Sequence, residues 1–237
     1  MDASFEKDLG FSYPNKSSDT DSEIAVGEVV KTKPVYGIIK RVSDVFLSVV
    51  ALVILSPVFI ITAISIKKED GGRIFFTQKR IGKDKKEFSM YKFRSMKKNA
   101  DKFHEDLKEK YGETDISFKP IDDPRVTKIG KTIRRYNIDE LPQLVNILKG
   151  EMSIVGPRPL PVYEFDDEQK EYGGKYDLRY SVPQGLTCLW QTSDRGEIDF
   201  ETRMQMDVDY AKKCNLIMDA WLTVKTILNM LSGRTGF

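Results

Sequence analysis

From Val45 to Ile66 the chain runs through 22 apolar or small polar residues without a charge. A straight helix of that length spans roughly 33 Å, against a hydrocarbon core of about 30 Å, so length alone permits a full crossing of a bilayer. Pro57 sits in its middle. In a helix interior it removes one N–H and clashes with the carbonyl of Val53, at a cost of about 3 kcal/mol. Ser56 beside it supplies a hydroxyl that can satisfy the freed carbonyl, which is how broken helices are tolerated at membrane depth. Both flanks are basic, with Lys31, Lys33, Lys40 and Arg41 before the segment and Lys67, Lys68, Arg73, Lys79 and Arg80 after it. Positive charge therefore assigns no orientation. These residues leave two readings open: a re-entrant segment over about 42–66 that bends at Ser56-Pro57, or a single crossing kinked by the proline.

The pattern then changes period. "RIFFTQKRIG" and "EFSMYKFRSM" are rich in β-branched and aromatic residues and bracket the polar "KDKK", which predicts a short hairpin. Its cations, Arg73, Lys79, Arg80, Lys92 and Arg94, interleave with Phe75, Phe76, Phe88, Tyr91 and Phe93, a composition suited to headgroup or phosphate contact as well as to a solvated ribbon. Residues 97–111 are polar and helix-prone. "KPIDDPRVTKIGK" follows as a loop broken by Pro120 and Pro124, and "IRRYNIDELPQLVNILKG" resumes a helical pattern. Near the end, Met204, Met206, Val208, Ile217, Trp221, Val224, Ile227 and Leu228 recur among charges, and amphipathic helices that face a core or lie on an interface both fit.

Composition narrows the chemistry. The 237 residues, 40% hydrophobic and 31% charged, are ordinary for one catalytic domain with an appendage. Residues 1–35 read as a flexible acidic tail that lacks the basic start and early apolar run of a secretory signal. A net charge of +2 gives no reason to expect nucleic acid. His104 is the only histidine and lies in a charged helical stretch, which argues against a Ser-His-Asp triad and a His-rich zinc site. Cys188 and Cys214 stand alone and read as reduced structural thiols.

What remains are carboxylates, arginines and lysines. Asp139 and Glu140 are adjacent, with Arg134 and Arg135 about one turn upstream, and acids beside arginines stay ionised and can hold a hard cation. Such a pair is more often a solvated face, so its surroundings decide. In "MSIVGPRPL", Gly156, Pro157, Arg158 and Pro159 make a stiff turn that presets one guanidinium for two-point phosphate binding. Two acids, several arginines and a basic hairpin beside an apolar segment suit phosphoryl transfer with Mg²⁺ at a bilayer surface.

These residues resemble the bacterial sugar transferases, the monotopic polyprenyl-phosphate phosphoglycosyl transferases. The likeness covers residues 36–237 through "KRVSDVFLSVVALVILSPVF", "FTQKRIGK", "YKFRSM", "DDPRVTKIGKTIRRYNIDELPQLVNILKGEMSIVGPRP", "GLTCLWQ" and "SGRTGF". It implies an α+β fold, mostly helical, with a re-entrant membrane helix hairpin, interfacial amphipathic helices and a short β-hairpin around a small catalytic domain. It further implies transfer of a sugar-1-phosphate from a UDP-sugar to undecaprenyl phosphate at the cytoplasmic face of the bacterial inner membrane, releasing UMP and starting an exopolysaccharide, capsule or O-antigen.

By position, the resemblance makes Asp139 the nucleophile and Glu140 its acidic partner, both near Mg²⁺. Arg134 and Arg158 become phosphate-binding, with Arg125, Lys79, Arg80 and Arg94 as further substrate contacts and Ser56 and Pro57 as the membrane hinge. It leaves room for a homo-oligomer and for downstream glycosyltransferases as partners. Cys188 stands where the family usually has glycine, and "QTSDRG" departs from its usual Ser-Gly-Arg, so the sugar is not specified. Two other activities use the same features: a membrane-anchored polyprenyl-phosphate phosphatase, and a non-enzymatic scaffold for glycan assembly.

Overall fold

In the computed structural model, residues 34–98, 123–193 and 198–232 are described. Most of the acidic tail, nearly all of the polar stretch with His104, Pro120, residues 194–196 of "QTSDRG" and the last five residues lie outside them. The described fold is mostly helical, with two small two-stranded sheets.

The apolar segment forms two helices, α1 (Pro34–Ile54) and α2 (Ser56–Asp70), which meet at Leu55 with a bend of 61°. No single described helix is long and apolar enough to cross a membrane, whereas the bent pair together has the length and composition. The bend has the predicted local cause. Pro57 falls in the first turn of α2, where its missing N–H costs nothing, and the Ser56 hydroxyl donates to the Val53 carbonyl at 2.8 Å. Gly71, left-handed at φ 69°, ends α2.

α1 is built inside out. Its buried residues are Lys40, Asp44 and Ser48, spaced four apart on one face, while Val35, Ile38, Val42, Phe46, Val49 and Val53 are exposed. Lys40 and Asp44 of this stripe are paired, while the Ser48 hydroxyl is buried without a hydrogen-bond partner among the described residues. Lys40 Nζ meets Asp219 Oδ2 at 2.9 Å, Tyr36 and Tyr210 donate to the two oxygens of Asp219, and Asp44 Oδ1 accepts from the Ile154 N–H at 3.0 Å. Arg41 reaches the carbonyls of Ile147 and Leu148. A helix in water turns the other way round, so this one is fixed to the domain by polar contacts and leaves its apolar face outward.

The predicted hairpin forms as β1 (Phe75–Ile81) and β2 (Glu87–Phe93), with Asp84 and Lys85 left-handed in the turn. The register pairs Phe76 with Lys92 and Arg80 with Phe88, which puts these four residues on one face with Met90. That face packs through Phe88 and Met90 against Leu144, Ile147 and Met152, while Phe93 on the other face packs with Ile66 and Ile133.

The stretch from Ile133 to Gly150 departs from the single helical pattern expected of it. Helix α3 (Lys128–Arg135) starts inside the predicted loop, capped by Thr127, whose Oγ1 accepts from the Gly130 N–H. It ends at Arg135, with Tyr136 as its cap, and Asn137 after it is left-handed at φ 53°. A 3₁₀ turn over Ile138–Glu140 follows, then Pro142 and helix α4 (Gln143–Lys149). Asparagine tolerates the left-handed region better than other side chains, and this break is what turns the acid pair off the helix.

β3 (Ser153–Val155) pairs in parallel with β4 (Gly185–Thr187). At their end the two backbones nearly touch: a Cβ on Gly156 would lie 2.2 Å from the Pro183 carbonyl oxygen. Helices α5 (Val162–Tyr172), α6 (Phe200–Lys213) and α7 (Leu216–Ser232) complete the fold. The two readings of the C-terminal pattern divide between the last two helices. Met204, Met206 and Val208 of α6 are core, as are Met218 and Leu222 of α7, whereas Ile217, Val224, Ile227 and Leu228 of α7 face outward.

Candidate active site

The acid pair sits in the 3₁₀ turn between α3 and α4, and three elements converge on it. Glu140 Oε1 accepts from Lys92 Nζ of β2 at 2.8 Å and from Arg158 Nη2 at 2.7 Å. Asn146 of α4 fixes the approach of β2, accepting from the Tyr91 N–H and donating to the Ser89 carbonyl. One polar pin, bonded to the residue next to Lys92, thus holds the lysine's strand against the helix that follows the acids. Burial opposes ionisation of Glu140, but Arg158 and Lys92 outweigh it and hold the carboxyl well below the usual carboxylate range.

Asp139 differs from its neighbour. It is buried, yet no hydrogen bond or ion pair occupies its carboxylate among the described residues. Burial pushes it up to about 6; Lys92, Arg134 and Arg158 pull down and Glu140 pushes up. The expectation is that acids beside arginines stay ionised; the cations together dominate at Glu140, whereas desolvation is the largest effect on Asp139 and raises it. An ionised, desolvated carboxylate with no donors spent on it is the better nucleophile of the two.

The structure gathers some of the predicted cations and disperses others. Arg134 donates from Nε to Ser95 Oγ at 2.9 Å, and its charge acts on Asp139 and Asp123. Arg125 grips Asp123 with the closest approach at 2.7 Å and neighbours Arg134, one step removed from the acid pair. Arg80 donates from Nη1 to the Pro159 carbonyl at 2.9 Å, which braces the turn that carries Arg158. Burial lowers its pKa to about 10, with Arg158 the next contributor. Lys79 is exposed on the opposite face of β1. Arg94 is taken by Asp70 in a two-point ion pair and by the Arg73 carbonyl, so it fastens the end of α2 to β2. The acid pair thus has Arg134, Arg158 and Arg80 around it, and neither Lys79 nor Arg94.

Lys92 was part of the basic hairpin in the sequence but not among the candidate site residues. The signal for it lies in the register, since a turn at 83–86 puts Lys92 on the face that meets α4 just after Glu140. Cys188 is buried, donates to Gln191 Oε1 at 3.1 Å and lies close enough to Arg158 to act on its charge.

Among the described residues no three acids, histidines or cysteines are grouped as a metal cage. Mg²⁺ does not require one, because it is commonly bound by one or two carboxylates together with waters and substrate phosphates. Asp139 and the unengaged oxygen of Glu140 fit that pattern.

Two carboxylates lie among half-buried cations, an arrangement suited to an anionic ligand, beside a helix pair whose apolar face points outward. The chain matches the family model for bacterial sugar transferases over residues 35–233 and belongs to that family. It is 40% identical over 209 residues to an exopolysaccharide production protein of Sinorhizobium fredii, covering 86% of this chain and 91% of that protein. It is 38% identical over 195 residues to the undecaprenyl-phosphate galactose phosphotransferase of Salmonella typhimurium. It is 35% identical over 206 residues to the UDP-glucose:undecaprenyl-phosphate glucose-1-phosphate transferase of Escherichia coli. Those alignments cover 79% and 84% of this chain but only 39% and 42% of the two enzymes.

Proposed function

We propose that this protein is a phosphoglycosyl transferase that moves a sugar-1-phosphate, of a hexose class, from a UDP-sugar to undecaprenyl phosphate and so begins a surface polysaccharide. The observation that carries this is Asp139, buried, without a hydrogen-bonding partner among the described residues and next to a Glu140 whose ionisation is held by Lys92 and Arg158. The Asp139 carboxylate oxygen attacks the β-phosphorus of the donor. The bond from that phosphorus to the bridging oxygen breaks, and UMP leaves with the electron pair. A phosphate oxygen of undecaprenyl phosphate then attacks the same phosphorus and releases the Asp139 carboxylate. Attack by an anion on a diphosphate is repelled unless cations neutralise the developing charge, and Arg158, Lys92 and Arg134 supply it within a preorganised, poorly hydrated site. Mg²⁺, held by Asp139 and Glu140 when bound, would add Lewis-acid neutralisation of the phosphate oxygens.

The inside-out α1 supports a seat in the bilayer. In this reading the bend at Ser56-Pro57 returns α2 to the cytoplasmic face, with the exposed apolar residues of α7 resting on the same surface. This depth brings the catalytic site level with the acceptor phosphate and lowers the cost of orienting it. In intact cells Ser18→Cys should resist impermeant thiol reagents. Adding Ser56→Leu and Pro57→Ala restores an unbroken apolar helix, and should expose that thiol and reduce activity. Ready labelling without those two changes would contradict re-entry.

The test of the activity is UMP release from a panel of UDP-sugars with undecaprenyl phosphate and Mg²⁺. Release with one donor supports the transferase. Free phosphate from the lipid would identify a phosphatase, and neither product would leave a scaffold.

A further inference from the structure

Against the backbone of Arg158 lies an ion pair that the proposed reaction does not use. Arg179 and Asp207 are buried to side-chain exposures of 0% and 1%. Arg179 Nη2 donates to Asp207 Oδ2 at 2.7 Å and to the backbone carbonyl of Arg158 at 2.6 Å, while its Nε donates to the same Asp207 oxygen at 3.2 Å. The guanidinium lies 4.9 Å from the centre of the Tyr180 ring, and Gln184 holds the local backbone by donating to the carbonyls of Arg179 and Val182.

Stability gives little reason for such a pair, since well-packed apolar residues of similar volume commonly serve a buried site as well or better. An apolar pair, however, cannot hold a carbonyl. Three successive carbonyls of the Gly-Pro-Arg-Pro turn are each held from a different element: Pro157 by the Gly185 N–H at 2.8 Å, Arg158 by Arg179 at 2.6 Å and Pro159 by Arg80 at 2.9 Å. With Pro157 and Pro159 fixing their own φ angles, the backbone from which the Arg158 side chain projects has little freedom. The middle pin is the one set by the ion pair.

We infer that Arg179, oriented by Asp207, is a positioning residue that aims Arg158 at Glu140 and the donor diphosphate by holding the Arg158 carbonyl. The inference rests on the transferase reading for the role of Arg158. Asp207 keeps the planar fork of Arg179 in one orientation, so that a single nitrogen serves both acceptors.

A double-mutant cycle tests it on the full-length protein, with UDP and Mg²⁺ titrated by calorimetry and kcat/KM measured alongside. Arg179→Lys should weaken UDP binding and lower kcat/KM by about tenfold or more when Arg158 is present. In an Arg158→Ala background the same change should alter UDP binding by less than about twofold, because there is no guanidinium left to aim. Asp207→Asn preserves shape and should follow the same pattern, so it carries the test should the lysine variant fold poorly. Equal losses in both backgrounds would show that the pair only stabilises the fold and would overturn the inference. UMP release by the unaltered protein tests the transferase reading separately, since UDP binding reads the cycle whether or not sugar phosphate is transferred.

Discussion

Asp139→Asn is expected to lower UMP release by at least about a thousandfold, on the order of 4 kcal/mol in the barrier, while leaving the protein folded. The change keeps the shape of the side chain. It removes the charge that attacks phosphorus and replaces a carboxylate with an amide that is a poor nucleophile and a weak Mg²⁺ ligand. Asp139 makes no hydrogen bond among the described residues, so its amide breaks no contact in the resting site. The burial that holds Asp139 near 6 also gives the sign of the stability effect. A carboxyl raised above its unfolded value of 3.8 favours the folded state most below that value and loses the contribution as pH rises through about 6. At neutral pH the asparagine variant should thus be no less stable than the parent in a thermal melt. A large loss of stability, or retention of activity within tenfold, would count against Asp139 as the nucleophile.

Arg158→Lys is the second large effect, and it is not conservative. Arg158 reaches Glu140 through one nitrogen and projects from a backbone held at three carbonyls, so a shorter, single-point ammonium cannot occupy the same place. Activity should fall tenfold or more, about 1–3 kcal/mol. Part of the loss comes through Glu140, which keeps a nearby positive charge but loses the guanidinium hydrogen bond and has Lys92 as its remaining donor. Wild-type kinetics in the lysine variant would show that the guanidinium contacts no phosphate.

The parts of this site that could be read in the sequence are those fixed by local covalent geometry. A proline in an apolar run beside a serine gives both the bend and the way its free carbonyl is satisfied, and the structure has both. The stiffness of Gly-Pro-Arg-Pro is likewise local. The break at Asn137 was legible in principle, since asparagine and Pro142 bracket the acids, but the helical pattern around them was the stronger signal. Lys92 and Arg94 show where local reading ends. Both lie in "YKFRSM" two residues apart, and which one meets the acid pair depends on Asp70, at the far end of α2, claiming the arginine. Arg179 and Asp207 carry no local mark at all, because their meaning comes only from the fold bringing the Arg158 carbonyl to the Arg179 guanidinium.

The covalent step is tested most directly by a single-turnover experiment with UDP-sugar and Mg²⁺ and no lipid acceptor. The reading predicts up to one equivalent of UMP and a sugar-phosphate mass on the peptide that contains Asp139, lost when undecaprenyl phosphate is added and absent from Asp139→Asn. Strict dependence of UMP release on the lipid, with no adduct in rapid-quench mass spectra, would contradict it.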